Sequence, residues 1–167
     1  MKYTKIDSKE ELDLLVRIAH EIWSDHFGTM FDTETLHKLI DAAQSKNAIL
    51  SQIENGSQYF FIIDENKPVG YFAYEIDHPK EQLFLSKIYI YSEQRGKGVG
   101  KKALKHLEKL GFDAGIKKIA LTVYHKNINS IKAYEKWGFV NLGLIDRYFD
   151  NDLVFQDVKM EKSISQD

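Results

Sequence analysis

No cysteine occurs among the 167 residues, which removes disulfides, thiolate metal sites and a cysteine nucleophile together. Any thiol chemistry must come from a cofactor. Proline appears only twice, and no apolar run approaches the roughly 18 residues that a membrane helix needs. The opening MKYTKIDSKEELDLL is acidic and amphipathic where a signal peptide would be basic and then apolar, so a cytoplasmic protein without a membrane partner is expected. Six histidines (His20, His26, His37, His78, His106, His125) show no HExxH or comparable spacing; they read as scattered surface residues, and no metal is expected. Tyr and Phe alternate with aliphatics in strand-like runs instead of interleaving with a basic patch, so nucleic acid is not an expected partner. Repeats and low-complexity stretches are also missing, which leaves one domain over 1–167 with a frayed tail from about 161 to 167.

What is present is unevenly charged. Residues 1–93 hold 9 Lys/Arg against 16 Asp/Glu, and residues 94–167 hold 14 against 9. The second half invites an anion. Six of its cations, Arg95, Lys97, Lys101, Lys102, Lys105 and Lys109, crowd a glycine cluster; taken alone they read as a solvated helix face.

The patterning predicts a strand over 3–6, then a helix opened by Ser8 and Glu11 at capping-box spacing. Leu12, Leu15, Val16, Ala19, Ile22 and Trp23 recur along it at helical period. A second helical region spans 32–53 with a break near 45–47, stopped by Asn55-Gly56-Ser57. Strand-like runs at 58–64, 68–77 and 82–91, separated by turn residues, predict an antiparallel meander. A helix over 98–115, a strand over 117–124, a short helix over 128–137 and strands over 139–147 and 153–160 follow. The fold class is α/β, with helices flanking a mixed, largely antiparallel sheet of six or seven strands.

The third strand runs into Arg95-Gly96-Lys97-Gly98-Val99-Gly100, three glycines at alternate positions, and a helix begins there. Unpaired amides and the positive end of a helix then converge on one point, a geometry that binds phosphate. Glycine allows close backbone approach and positive φ. A Walker loop would need Ser or Thr after its Lys, but Lys101 and Lys102 follow Gly100. A dinucleotide fingerprint would need Gly-x-Gly-x-x-Gly near the first strand.

Arg95-x-x-Gly98-x-Gly100 after a strand resembles the acetyl-CoA pyrophosphate loop of the GNAT superfamily of N-acetyltransferases. Farther on, Asn127 lies seven residues before Tyr134, and Gly138-Phe139 closes the helix, similar to that family's second segment. The resemblance implies that the backbone of Ile88, Tyr89 and Ile90 pairs with the pantetheine arm, and that the amides of Arg95, Gly96, Lys97, Gly98, Val99 and Gly100 hold the pyrophosphate. Asn127 is implied to contact the cofactor near the pantetheine arm, and Tyr134 to aim its hydroxyl at the sulfur. A phenol of pKa ~10 suits protonation of a leaving thiolate of pKa ~8.5. The residues by themselves would also allow Tyr134 as a packed aromatic and Asn127 as a helix cap.

The implied reaction is direct attack of an amine on the acetyl thioester in a ternary complex, with strand amides near 88–90 stabilising the oxyanion. Many family members place a glutamate two residues before the Ile-Tyr-Ile triplet; Ser86 stands there, with Phe84 two residues earlier. A water chain to Glu75 or Asp77, or else His78, is the expected substitute. Ile22-Trp23-x3-Phe27-Gly28 resembles bacterial polyamine (spermidine/spermine) N-acetyltransferases, and Asp25, Asp32 and Glu34 would attract a polycation or else serve as helix caps. Peptide amines and aminoglycosides remain open as acceptors, as do a homodimer and a non-catalytic acyl-CoA sensor.

Overall fold

The computed structural model describes residues 1–150 and 153–165. Two compact units divide the chain: Met1–Glu75 with Lys87–Gly100, and Ile76–Ser86 with Lys101–Asp167. Seven strands are hydrogen-bonded in the order β1-β2-β3-β4-β5-β7-β6. They are β1 (Lys2–Lys5), β2 (Gln58–Asp64), β3 (Lys67–Asp77), β4 (Gln82–Ile90), β5 (Lys118–Tyr124), β6 (Val140–Asp150) and β7 (Leu153–Ser163). Five α-helices lie among the described residues: α1 (Lys9–Phe27), α2 (Thr33–Gln44), α3 (Lys46–Glu54), α4 (Val99–Asp113) and α5 (Ile128–Lys136).

In the first unit the capping box forms as the spacing predicts. The Glu11 amide donates to Ser8 Oγ (3.1 Å), and the Ser8 amide donates to Glu11 Oε2 (3.0 Å). Leu12, Leu15, Ile18, Ala19 and Ile22 then bury one face of α1 against Ile49 of α3, Tyr59 and Phe61 of β2, and Tyr71 and Ala73 of β3. The predicted break between helices falls at Ser45, whose extended backbone ends α2 and whose hydroxyl accepts from the Ala48 amide (3.2 Å) to start α3. Antiparallel pairs run from Lys2↔Ile63 to Lys5↔Phe60 and from Gln58↔Tyr74 to Asp64↔Lys67. Glu65 and Asn66, both at positive φ, make the two-residue hairpin turn whose twist matches the strands.

In the second unit the start of β4 pairs with β5 in parallel, Gln82↔Lys118 to Phe84↔Ala120. A parallel neighbour needs a crossover, and α4 supplies it. β7 pairs antiparallel with both β5 and β6. The sequence-based tail is corrected here: β7 continues through Ser163, and the Ile164 amide donates to the Lys117 carbonyl (2.8 Å). The alternation of apolar residues fades after Met160, but the β5 ladder still takes Glu161, Lys162 and Ser163 as partners. Residues 166 and 167 of that expected tail lie outside the described residues. β6 likewise reaches Asp150, beyond the expected end at 147. No helix among the described residues is long and apolar enough to cross a membrane.

Candidate active site

β4 alternates, and its register decides what it presents. Leu85 and Lys87 are buried on one side. Tyr89 packs there against Trp23, Tyr71 and Phe27, with ring centroids 5.2, 5.6 and 6.2 Å away. Period-two alternation turns Ser86, Ile88 and Ile90 to the other side. Gly70 of β3 sets how closely the neighbouring backbone sits: a Cβ there would stand 2.3 Å from the Tyr89 carbonyl oxygen and 3.0 Å from the Ile90 Cα. Sequence reasoning passed over this residue, although a lone glycine inside a strand run signals close backbone approach.

Beyond β4 a single 3₁₀ turn, Ser92–Gln94, carries the chain round. Arg95 folds back, its amide donating to the Ser92 carbonyl (3.1 Å) and its Nε to the Ile90 carbonyl (3.0 Å). The guanidinium thus ties the loop to the strand end. Gly96 and Gly98 adopt left-handed φ of 75° and 79°, and a Cβ at either would meet nothing within 4 Å. Open space therefore stands beside the loop at the start of α4, where helix amides have no intrahelical acceptor. Val99, Ala103, Leu104 and Leu107 are buried along α4, whereas Lys101, Lys102, Lys105 and Lys109 are exposed. A cradle of this kind fits a pyrophosphate.

Asn127 and Tyr134 belong to the second unit, at the two ends of α5. Asn127 occupies the N-cap position and is buried, but its side chain makes no capping hydrogen bond. The cap reading of Asn127 therefore fails in its chemistry. The Tyr134 ring lies edge-on to Trp137 (5.9 Å) and Phe139 (5.5 Å). Its carbonyl accepts from the amides of Trp137 and Phe139, both at 3.0 Å. The Gly138-Phe139 pair thus closes the helix and holds the ring at once.

The family model described as the acetyltransferase (GNAT) family matches residues 15–139. The chain belongs to that family. It is an acetyl-CoA-dependent N-acetyltransferase in class, an acyltransferase. It is similar to the spermidine N(1)-acetyltransferase of Thermoplasma acidophilum, 26% identical over 79% of this chain and 84% of that one. The spermine/spermidine N(1)-acetyltransferase of Bacillus subtilis is 34% identical over 44% of this chain, which spans about half (49%) of that relative's length. Among solved structures, the PaiA N-acetyltransferase of T. acidophilum in complex with coenzyme A shares the fold at a TM-score of 0.76 and 24% identity, over 98% of this chain and 99% of that one.

The candidate bases of this GNAT chain separate on inspection. Asp77 closes a turn, accepting from the Lys80 amide (3.2 Å) and pairing with its Nζ (3.0 Å). The Lys80 hydrogen bond holds its carboxyl below the usual range, with the Lys80 charge adding to this. It is a poor base. His78 is exposed in the same turn. Glu75 is half-buried on β3 and accepts from the Ser57 hydroxyl. Asp32 caps α2 through the Thr35 amide (2.9 Å) and hydroxyl (2.8 Å), and Glu34 pairs with Lys38 (3.0 Å). Sequence reasoning also missed Lys87, which is buried with its ammonium donating to Gln52 Oε1 and set over the Tyr59 ring at 5.2 Å. Its strand period could have placed it inside.

His26 corrects the expectation of scattered surface histidines. It is half-buried near the end of α1, its ring 4.6 Å from that of Phe27. Burial first, and the Arg95 charge second, lower its pKa to about 4, against an opposing pull from Asp25. His106, on α4, is half-buried as well.

Two outcomes are expected. Gly98→Val should lose acetyl-CoA binding in isothermal titration while its far-ultraviolet circular dichroism stays unchanged, because a β-branched residue is strained by ~1–2 kcal/mol at left-handed φ and its side chain fills the open space. Normal binding would make the loop purely structural. Because unfolded His26 titrates near ~6.5 and folded His26 lower, the unfolded chain takes up the proton first. The His26 contribution should therefore cost stability as pH falls from about 6.5 toward 4 and be flat above that range. Across this window the urea midpoint of wild type should fall relative to that of His26→Gln as pH falls, and parallel curves would contradict it.

Proposed function

We propose that the chain acetylates a small primary amine, with a polyamine such as spermidine the first choice, and that it works as one domain in the cytoplasm, where acetyl-CoA is at hand. The observation that carries the reading is the pair of left-handed glycines that lead into α4 after β4 and its following 3₁₀ turn. For the acceptor, support comes from similarity to a spermidine N(1)-acetyltransferase over 79% of the chain and from the acidic excess of residues 1–93.

Acetyl-CoA supplies the activated acetyl thioester. In this reading the amides of 96–100 bind its pyrophosphate, since that of Arg95 is taken by the Ser92 carbonyl, and the backbone of Ile88, Tyr89 and Ile90 aligns its pantetheine arm. Those strand amides also offer donors to the carbonyl oxygen. Asn127 contacts the arm, and Tyr134, braced by Trp137 and Phe139, donates its phenol proton to the departing sulfur. An alkylammonium of pKa ~10.4 costs about 4.6 kcal/mol to deprotonate at pH 7. Glu75, half-buried on β3, is the carboxylate best placed in its own strand to take that proton through water. Since Asp32 and Glu34 already serve α2, their pull on a polycation is long-range. A homodimer is the proposed assembly. The second reading, a non-catalytic acyl-CoA sensor, draws on Ser86 standing where many family members have glutamate.

Tyr134→Phe should lower turnover about ten- to a thousandfold with acetyl-CoA affinity nearly unchanged, since the ring still packs. Equal rates would leave Tyr134 a packing residue. Thiol release from acetyl-CoA, followed over polyamines, aminoglycosides and short peptides, should be fastest with spermidine and rise with pH as neutral amine accumulates. The spermidine Michaelis constant should increase with salt, because screening weakens attraction to an acidic half. Acetylation of acidic peptides alone would reject the polyamine; tight cofactor binding without thiol release from any amine would favour the sensor.

A further inference from the structure

We propose that the buried carboxylate of Asp157 is a seat for a ligand ammonium, and that in an acceptor with two amines it holds the one that does not react. The inference rests on the polyamine reading above and deepens it by naming the side chain that takes the second charge. Asp157 stands on β7, opposite Tyr124 of β5 and Ile145 of β6. It is 0% exposed, yet neither carboxylate oxygen accepts an aligned hydrogen bond. Buried polar groups are nearly always hydrogen-bonded, so the acceptor capacity of this carboxylate is unused by the chain around it. Its close ionic partner among the described residues is Arg147, whose Nε lies 2.6 Å from Oδ2 without pointing its hydrogen there. Alternate residues of the same hairpin, Leu144, Tyr148 and Val154, belong to the opposite face and are exposed.

Arg147 itself shows that the place takes an organic cation. Its guanidinium lies over the Phe149 ring, 4.4 Å from the centroid. Phe149 meets Phe155 edge-on at 5.6 Å, and Phe155 meets Tyr124 edge-on at 5.9 Å. Aromatic rings beside a carboxylate favour alkylammonium and guanidinium ions. A metal ion needs more ligands than this, and no group of three His, Cys, Asp or Glu side chains able to hold one occurs among the described residues. The Arg147 side chain is 44% exposed, and its long stem lets the charged head turn to water at small cost. An incoming ammonium then exchanges one cation for another, so the buried carboxylate is never left unpaired. Lys159, on the same face, pairs with Glu161 (3.6 Å) instead. The seat also adjoins the turn into α5. The His125 amide donates to the Gln156 carbonyl (3.1 Å) and the Asn127 amide to the Tyr124 carbonyl (2.8 Å), so Asp157 neighbours the turn that delivers the residue proposed to meet the pantetheine arm.

Isothermal titration of putrescine, a diamine, and butylamine, its single-amine counterpart, into the full chain with and without coenzyme A tests this. The wild type is expected to bind putrescine at least ~10-fold more tightly than butylamine, as one charge-assisted hydrogen bond provides. Asp157→Asn should erase that difference. Arg147→Ala should keep the preference and tighten putrescine, because the rival cation is gone. A preference unchanged in Asp157→Asn, putrescine weakened by Arg147→Ala, or no binding of either amine overturns the seat. Should Asp157→Asn fail to fold, wild type and Arg147→Ala decide, and equal binding of the two amines by either protein overturns it. Thiol release from acetyl-CoA separates this from the polyamine reading. Putrescine bound with the expected preference but never acetylated overturns that reading and leaves the seat standing, whereas putrescine acetylated with a Michaelis constant no lower than that of butylamine overturns the seat alone.

Discussion

The proposed phosphate site rests on one electrostatic constraint: backbone amides in the first turn of α4 have no acceptor within the helix. An amide bonded within the helix cannot serve an anion, so the first turn of a helix is the natural place for such a site. The approach to that turn is costly for any residue with a Cβ, and Gly96 and Gly98 take left-handed φ where the chain swings from strand to helix. Arg95 anchors the same swing by donating to the Ile90 carbonyl. A cation therefore holds the loop in place while leaving its outer side open.

A loop held this way is only as well placed as the strand that delivers it. β4 is located by Tyr89 among Trp23, Phe27 and Tyr71 on one side and by the missing Cβ of Gly70 on its neighbour. A slip of one residue would exchange the buried and presented faces. Lys87 would then leave Gln52 and the Tyr59 ring, and a buried ammonium deprived of its contacts is expensive. Polar groups inside the first unit thus help fix the register on which the proposed cofactor contacts depend.

The second unit holds its parts by similar means. α5 ends where the amides of Trp137 and Phe139 fold back on the Tyr134 carbonyl and that of Gly138 on the Glu135 carbonyl, and Trp137 and Phe139 leave the phenol ring few orientations. In β7, Asp157 is fully buried; burial raises its pKa, and the Arg147 charge works against that shift. The guanidinium of Arg147 also lies over the Phe149 ring, 4.4 Å from its centroid. Such anchoring keeps the hairpin extended while its apolar side chains remain outward.

Local order was legible in the sequence because it is encoded locally. The Ser8 capping box, the break at Ser45 and the glycine-spaced turn at 96–100 each depend on residues within one helical turn of one another, so spacing alone predicted them. The Asn127 to Tyr134 motif was read through resemblance; the tertiary structure leaves the Asn127 side chain out of the cap and packs the Tyr134 ring against Trp137 and Phe139. Contacts between residues distant in sequence were not legible. That Gly70 faces the Tyr89 carbonyl, that Lys87 finds Gln52, that Asp77 is spent on a turn while Glu75 stays in a strand, and that His26 is held neutral beside Arg95 all follow from strand register and helix packing. The same holds for the ends of the sheet. Composition gives no sign that the lysine-bearing strand and the apolar strand β6 become its two edges; pairing order alone decides which side chains meet water.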